Sequence, residues 1–375
     1  MISVWRAALE EFQQGRDFVF ASILDVRGSS PRHVGTRFLV RGNGSIVGTI
    51  GGGLFEAEVQ KFAASALVSG TSHRALFSFT GKDSQSSQMI CGGEAEVLVE
   101  FVSAEDKILG EIISRVLTLN ESREIGYLFT HVSMPRGGQI AGSVNHLLVE
   151  ERGARIGRLP GEEEALKAVP DRRLLKPSQM LETQALEYPV LLEWLRPRGT
   201  VYIFGAGHVG VCVAHLASYV NFRVVVMDDR ADFVTPERIP DAEHLVALKS
   251  FDEAFKDLLV DEESYIVIVT RGHSHDRVVL DQSLRTKAVY IGMIGSRRKN
   301  RIVFERLLSD GFTRDDLERV HAPIGLPIGG ETPEEIGISI LAEMIQIRNR
   351  KDQLKHLGAA STDHAGERHC SPENQ

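Results

Sequence analysis

Gly205-Ala206-Gly207-His208-Val209-Gly210 is the segment of the chain whose residue types and spacing most directly imply chemistry. It follows the strand-like run Val201-Tyr202-Ile203-Phe204 and opens a helical pattern. In that setting a G-x-G-x-x-G predicts a diphosphate seated on backbone amides at a helix N-terminus. Gly205 would make the tight turn, Gly207 would let the backbone before His208 approach the ligand, and Gly210 would permit close helix–strand packing. A second strand ends in Asp228, 23 residues after Gly205, near the ~20 expected for a ribose-binding acid. Asp228 could accept a ribose 2′-OH, whereas Arg230 could receive a 2′-phosphate. The choice between NAD and NADP types stays open.

Two further loops would lie at the same sheet edge, where ligands bind in open α/β folds. The first is Thr270-Arg271-Gly272-His273-Ser274-His275-Asp276. His273, His275 and Asp276 have metal-ligand and proton-transfer chemistry at close spacing, and Arg271 could hold a cofactor anion. The plainer reading makes Asp276 a helix cap and the histidines polar loop residues. Two histidines without a third protein ligand weaken the metal alternative. The second loop is Gly292-Met293-Ile294-Gly295-Ser296-Arg297-Arg298-Lys299. Gly295, Ser296 and Arg297 open a helix and could cradle an anion. The alternative is a solvated basic first turn, although cations oppose the dipole there.

The N-terminal half carries its own set. Gly51-Gly52-Gly53 precedes a helix and is a candidate anion nest, with Arg27, Ser29, Ser30 and Arg32 on a loop nearby in sequence. Cys91-Gly92-Gly93 frames a thiol with flexible backbone. Cys91 could be a nucleophile, a persulfide carrier or a soft-metal ligand. It could equally be a buried structural cysteine. Cys212 falls on the helix after the glycine loop and reads as core. Cys370 lies in the polar tail.

The elements that must position these residues follow from periodicity. A helix over 1–14 precedes a strand at 18–26. Strands at 36–41 and 46–50 flank Gly42-Asn43-Gly44-Ser45, a hairpin signal because its turn residues tolerate positive φ. A helix over 54–69 and strands at 74–80 and 94–102 follow. Residues 104–195 mix helix and strand signals, and 160–189 reads as a charged, proline-punctuated linker. From 200 onward, short apolar strands (201–204, 223–228, 244–248, 265–270, 288–294) alternate with amphipathic helices, which implies a parallel doubly wound sheet. Thr332-Pro333-Glu334-Glu335 is a capping box that starts a helix with Ile336, Ile340, Leu341, Met344 and Ile347 on its apolar face. The expected class is α/β: an N-terminal α+β domain at 1–103, an α+β extension and linker at 104–198, a Rossmann-like domain at 199–355 and a disordered tail at 356–375.

Composition narrows the functional classes. The 375 residues carry a net charge of −8, so no global basic field points to nucleic acid. No apolar run approaches a membrane span, and the amphipathic start lacks the pattern of an export signal. Three widely spaced cysteines match neither a disulfide framework nor a zinc spacing. A reduced, cytoplasmic protein is expected. Glycine is the outlier at 35 residues, many of them at strand-to-helix junctions where freed amides can meet an anion.

Taken in order along one chain, several motifs resemble the XdhC/CoxI family of accessory proteins for molybdenum hydroxylases. They are Gly28-Ser29-Ser30-Pro31-Arg32, Gly48-Thr49-Ile50-Gly51-Gly52-Gly53 with Glu56, Cys91-Gly92-Gly93, the Gly205 loop, Thr270–Asp276, Ile294-Gly295-Ser296 and Pro323–Gly329. The resemblance spans 18–100 and 200–350. Phe55 stands where the family often has Leu, a change expected to affect packing alone. The resemblance implies a family domain followed by a Rossmann domain. It implies binding and protection of the molybdenum cofactor, as molybdopterin or its cytosine dinucleotide form. It also implies help to a cysteine desulfurase in sulfuration and transfer of the cofactor to an apo molybdenum hydroxylase. Cys91 would then face the metal or its sulfur, and the protein would be an accessory factor rather than a turnover enzyme. A homodimer is the default for such folds. Two other classes remain open on the residues alone. One is an NAD(P)-dependent oxidoreductase using His208, His273 or His275 as acid–base. The other is a docking protein gated by a nucleotide in the Rossmann domain.

Overall fold

The computed structural model describes residues 2–28, 32–78, 93–122, 124–133, 140–171, 175–184 and 186–360. The chain divides into two compact units, Met1–Pro197 and Arg198–Gln375.

The first unit is built on two antiparallel sheets. One has β1 (Phe18–Gly28), β2 (Arg37–Arg41), β3 (Ile46–Gly48), β4 (His73–Ser78), β5 (Gly93–Val102) and β7 (Ile140–Ala141), ordered β3-β2-β1-β5-β4-β7. The other has β6 (Gly126–Ser133), β8 (Ser143–Glu150), β9 (Arg155–Gly157), β10 (Ser178–Leu181) and β11 (Val190–Leu195), ordered β10-β11-β6-β8-β9. Strand β1 is buried on both faces because its alternate side chains enter different cores. Phe18 and Phe20 pack with Trp5 and Ala8 of α1 (Ile2–Gln13) and Ile112 of α3 (Lys107–Glu121). Val19, Ala21 and Ile23 pack with Val59, Ala63 and Ala66 of α2 (Gly53–Ser69). Phe55 is buried there and meets Phe77 edge-to-face at 5.6 Å, as a packing substitution should.

The stretch 160–189 carries structure rather than a bare linker. It holds α4 (Glu162–Lys167) and β10, and it buries Ala165, Leu175 and Leu181 in one cluster with Phe129 and Leu192. Polar bridges also join the two sheets. Arg37 of β2 donates to Glu193 of β11 at 2.5 Å, and His146 of β8 meets Glu100 of β5 at 2.6 Å.

The second unit is a six-stranded parallel sheet, ordered β14-β13-β12-β15-β16-β17. Its strands are β12 (Thr200–Phe204), β13 (Arg223–Asp228), β14 (His244–Ala247), β15 (Ser264–Ile268), β16 (Tyr290–Met293) and β17 (Val320–His321). Helices α5 (His208–Tyr219), α6 (His273–Leu284), α7 (Arg297–Ser309), α8 (Arg314–Glu318) and α9 (Pro333–Ala360) complete it. Val201 and Ile203 face the core shared with α5 and α9, while Tyr202 and Phe204 face that shared with α6 and α7. This is the doubly wound arrangement expected from the alternating pattern. The capping box at Thr332 forms, with Glu335 N donating to Thr332 at 3.3 Å and Thr332 N to Glu335 at 3.1 Å. Ile340, Leu341 and Met344 are buried against α5 as the periodicity predicts. Helix α9 continues to Ala360 instead of ending near 355, and 361–375 lie outside the described residues.

Candidate functional site

All strands of the second sheet run in one direction, so the loops after β12, β13, β15 and β16 share its carboxyl edge. The fold thereby gathers Gly205, Gly207, His208, Gly210, Asp228, Arg271, His273, His275, Asp276, Gly295, Ser296 and Arg297 along one edge. Gly51, Gly52, Gly53 and Gly93 belong to the first unit. Cys91 and Gly92 lie outside the described residues.

The three loop glycines are glycine for different reasons. Gly205 has φ +119, and a Cβ there would collide with the Val269 carbonyl. A Cβ on Gly210 would collide with the Gly205 carbonyl. Both are demanded by packing. Gly207 has an ordinary φ of −73, and a Cβ there would meet nothing within 4 Å. Neither conformation nor neighbours require glycine at 207. The space beside it is open, as it must be where a ligand approaches the backbone.

Asp228 has found partners within the chain. Its Oδ2 accepts from Ala206 N at 2.8 Å and Arg230 Nη2 at 2.8 Å, and its Oδ1 from Arg230 N at 3.0 Å and Nε at 2.8 Å. Burial by itself would raise this carboxyl. The Arg230 guanidinium and the two amides outweigh burial and pull it down to about 2. Arg230 in turn stacks on Phe233 at 3.6 Å. A buried, fourfold-bonded carboxylate pins the glycine loop to β13 and leaves no lone pair for a ribose hydroxyl.

Asp276 is another internal pin. It is fully buried, and it accepts from Thr270 Oγ1 at 2.6 Å and Lys299 Nζ at 2.5 Å. His275 lies beside the Phe251 ring at 5.0 Å. Among the described residues no group of three or more His, Cys, Asp or Glu could hold a metal ion. Ser296 caps α7 by accepting from Lys299 N at 3.2 Å, and Arg297 is exposed. Arg271 crosses to Asp229, with Nη2 donating to Oδ2 at 2.8 Å.

In the first unit the glycine nest already holds an anion from its own chain. Glu56 Oε2 accepts from Thr49 Oγ1 at 2.6 Å, Ile50 N at 3.1 Å and Gly52 N at 3.2 Å. Sequence reasoning missed this use of Glu56, and it missed Asp229 and Lys299. It also missed a trio beside the Pro323–Gly329 loop, in which Tyr290 and Glu343 are buried. There Glu343 accepts from Tyr290 OH at 2.7 Å and Gly325 N at 2.9 Å, and its other oxygen meets His321 at 2.9 Å. A Glu in the first turn of α2, where a carboxylate suits the helix N-terminus, was the one local signal available. The remaining pairs are joined only by the tertiary fold. Cys212 packs against Gly337 of α9, and burial, reinforced by Glu334, pushes its thiol up, away from thiolate chemistry.

Fold and site define a protein with a Rossmann unit whose glycine loop is open at one position. The chain belongs to the XdhC/CoxI family: residues 12–80 match the XdhC and CoxI family, and residues 201–344 match the XdhC Rossmann domain. Its relatives include YqeB of Escherichia coli, 27% identical over 92% of this chain. The chain spans only 45% of YqeB. A probable xanthine dehydrogenase subunit of Bacillus subtilis is 26% identical, with 92% of this chain and 96% of that protein aligned. The molybdenum cofactor insertion chaperone PaoD of Escherichia coli is 20% identical, with 96% and 92% aligned. A crystal structure described as a xanthine dehydrogenase from Bacillus halodurans superposes with a TM-score of 0.75 at 25% identity, covering 92% of this chain and 96% of that one. Among the described residues no helix is long and apolar enough to cross a membrane.

Proposed function

We propose that this chain binds the molybdenum cofactor as cargo, protects it and hands it to an apo molybdenum hydroxylase of the xanthine dehydrogenase or aldehyde oxidoreductase type. The structural observation that carries the reading is the open space at Gly207. A cofactor ending in a phosphate or a diphosphate needs such an approach to backbone amides at the start of α5. Family membership and the near full-length match to PaoD, a protein named as an insertion chaperone, support the same direction. Gly205, Gly207, His208 and Gly210 would form the phosphate seat, with Arg271 beside it. Gly295, Ser296 and Arg297 would line the next loop. Cys91 is the proposed contact to molybdenum or its sulfur, with Gly92 and Gly93, next to it in sequence, as further proposed cofactor-binding residues. Sulfuration by a cysteine desulfurase, a homodimer and a cytoplasmic site of action belong to the same proposal.

The oxidoreductase alternative depends on Asp228 as the ribose acceptor. The four donors on that carboxylate count against it. Reconstitution tests the proposal: chain isolated from molybdate-supplied cells is added to apo-hydroxylase, and activity is followed. Recovery is expected with wild type and not with Cys91→Ala. Full recovery with Cys91→Ala removes the role given to Cys91, and no recovery with wild type contradicts the reading itself.

A further inference from the structure

The carboxyl edge of the second sheet is bridged by one ion pair at its switch point. Strand β12 lies between β13 and β15. Asp229 follows β13 and Arg271 follows β15, so their 2.8 Å contact crosses over the end of β12, where the glycine loop begins. Gly205 N donates to Met227 O at 2.8 Å on one side, and Val269 crowds Gly205 on the other. The pair therefore spans the crevice in which doubly wound folds bind ligands.

The two adjacent aspartates differ in how firmly they are held. Asp228 has two donors on each oxygen and is buried. Asp229 has one oxygen on Arg271, and its Oδ1 is buried without a hydrogen-bond partner. The Arg271 side chain is 53% exposed and that of Asp229 18%. A pair with one partner half exposed to solvent is weakly held. A diphosphate presents a guanidinium with two oxygens and more charge than one carboxylate does, and Arg binds such groups in a fork.

We propose that Asp229 and Arg271 form a displaceable strap: an incoming diphosphate draws Arg271 away from Asp229 and settles over Gly207. Released Asp229 then accepts a hydroxyl or amino hydrogen from the rest of the ligand. The ligand class is a diphosphate ester, whether it comes with a pterin dinucleotide or a nicotinamide dinucleotide. The inference rests on the reading that this crevice takes phosphate-bearing cargo.

Calorimetric titration of the full chain with inorganic pyrophosphate at fixed ionic strength tests it. Asp229→Asn frees Arg271 and should tighten binding about two- to tenfold. Arg271→Gln should weaken it tenfold or more. The double variant Asp229→Asn/Arg271→Gln should match Arg271→Gln, because Asp229 acts through Arg271. Equal tightening by Asp229→Asn in both backgrounds would reveal a through-space charge effect and overturn the strap. Unchanged or weaker binding by Asp229→Asn overturns it as well, while wild-type binding leaves the phosphate reading standing. No binding by any of the proteins removes both. The same series with CDP and with NAD assigns the source of the diphosphate.

Discussion

The Asp228 carboxylate accepts the Ala206 amide at 2.8 Å, tying the first turn of the glycine loop to the end of the neighbouring strand. Arg230 grips the same carboxylate through three donors. The residue that a dinucleotide enzyme would leave open to ribose is here part of the scaffold. The loop is pre-set, and the proposed cargo site is left to the open side at Gly207 and to Arg271.

Asp228→Asn should destabilise the second unit by about 2–4 kcal/mol, because an amide N–H replaces an acceptor among four donors. The folded carboxyl sits at about 2, below its ordinary 3.8. Its contribution is complete above about pH 4 and is lost as the pH falls through 2. Urea unfolding across that window should show a flatter acid limb in the variant. Equal limbs would mean the pin carries no net energy.

The loop glycines separate packing from binding. Gly205→Ala and Gly210→Ala should each cost 2 kcal/mol or more, roughly, through collision with backbone carbonyls. Gly207→Ala should change stability by less than about 1 kcal/mol yet weaken pyrophosphate binding tenfold or more. Thermal unfolding and calorimetry on the three variants decide this, and a destabilised Gly207→Ala would show that 207 serves packing.

Glu56 fills the first glycine nest, so Glu56→Ala should release it. The Ile50 and Gly52 amides should exchange with solvent at least about tenfold faster, with a stability loss of about 1–2 kcal/mol. Amide exchange followed by mass spectrometry checks this. Unchanged protection at both amides would show that Glu56 is incidental.

The Arg37–Glu193 pair joins the two sheets of the first unit under Trp5, whose ring lies 4.5 Å from the guanidinium. Burial pushes the Glu193 carboxyl up despite the opposing Arg37 charge. Arg37→Met should cost about 3–5 kcal/mol at pH 8 by stranding a buried carboxylate. A carboxyl raised when folded is favoured at low pH, so the loss should shrink at pH 5 as Glu193 takes up a proton. The double change Arg37→Met/Glu193→Leu should recover most of it. Unfolding at the two pH values measures both effects.

The second unit was legible because its central strands β12, β13, β15 and β16 are buried on both faces. Val224-Val225-Val226-Met227 is a continuous apolar run that announces itself. The sheet formed by 126–195 was not. Thr130 and His131 on β6 oppose His146 and Asn145 on β8, so polar side chains interrupt the pattern. Ser178-Gln179-Met180-Leu181 owes its strand to pairing with β11 rather than to its own residues. At the site, glycines and loop residues could be read from local spacing. Their partners could not: Lys299 reaches Asp276 across 23 positions and Arg271 reaches Asp229 across 42. Open nests also look the same in sequence whether a ligand or a nearby Glu56 fills them.

Carriage of the molybdenum cofactor is the core of the proposed function. The most direct test is to purify the chain from molybdate-supplied cells, oxidise it, and measure pterin fluorescence and molybdenum per chain. Both are expected, in equal amounts and approaching one per chain. Absence of pterin and molybdenum, with micromolar binding and turnover of NAD or NADP instead, would contradict the proposed function.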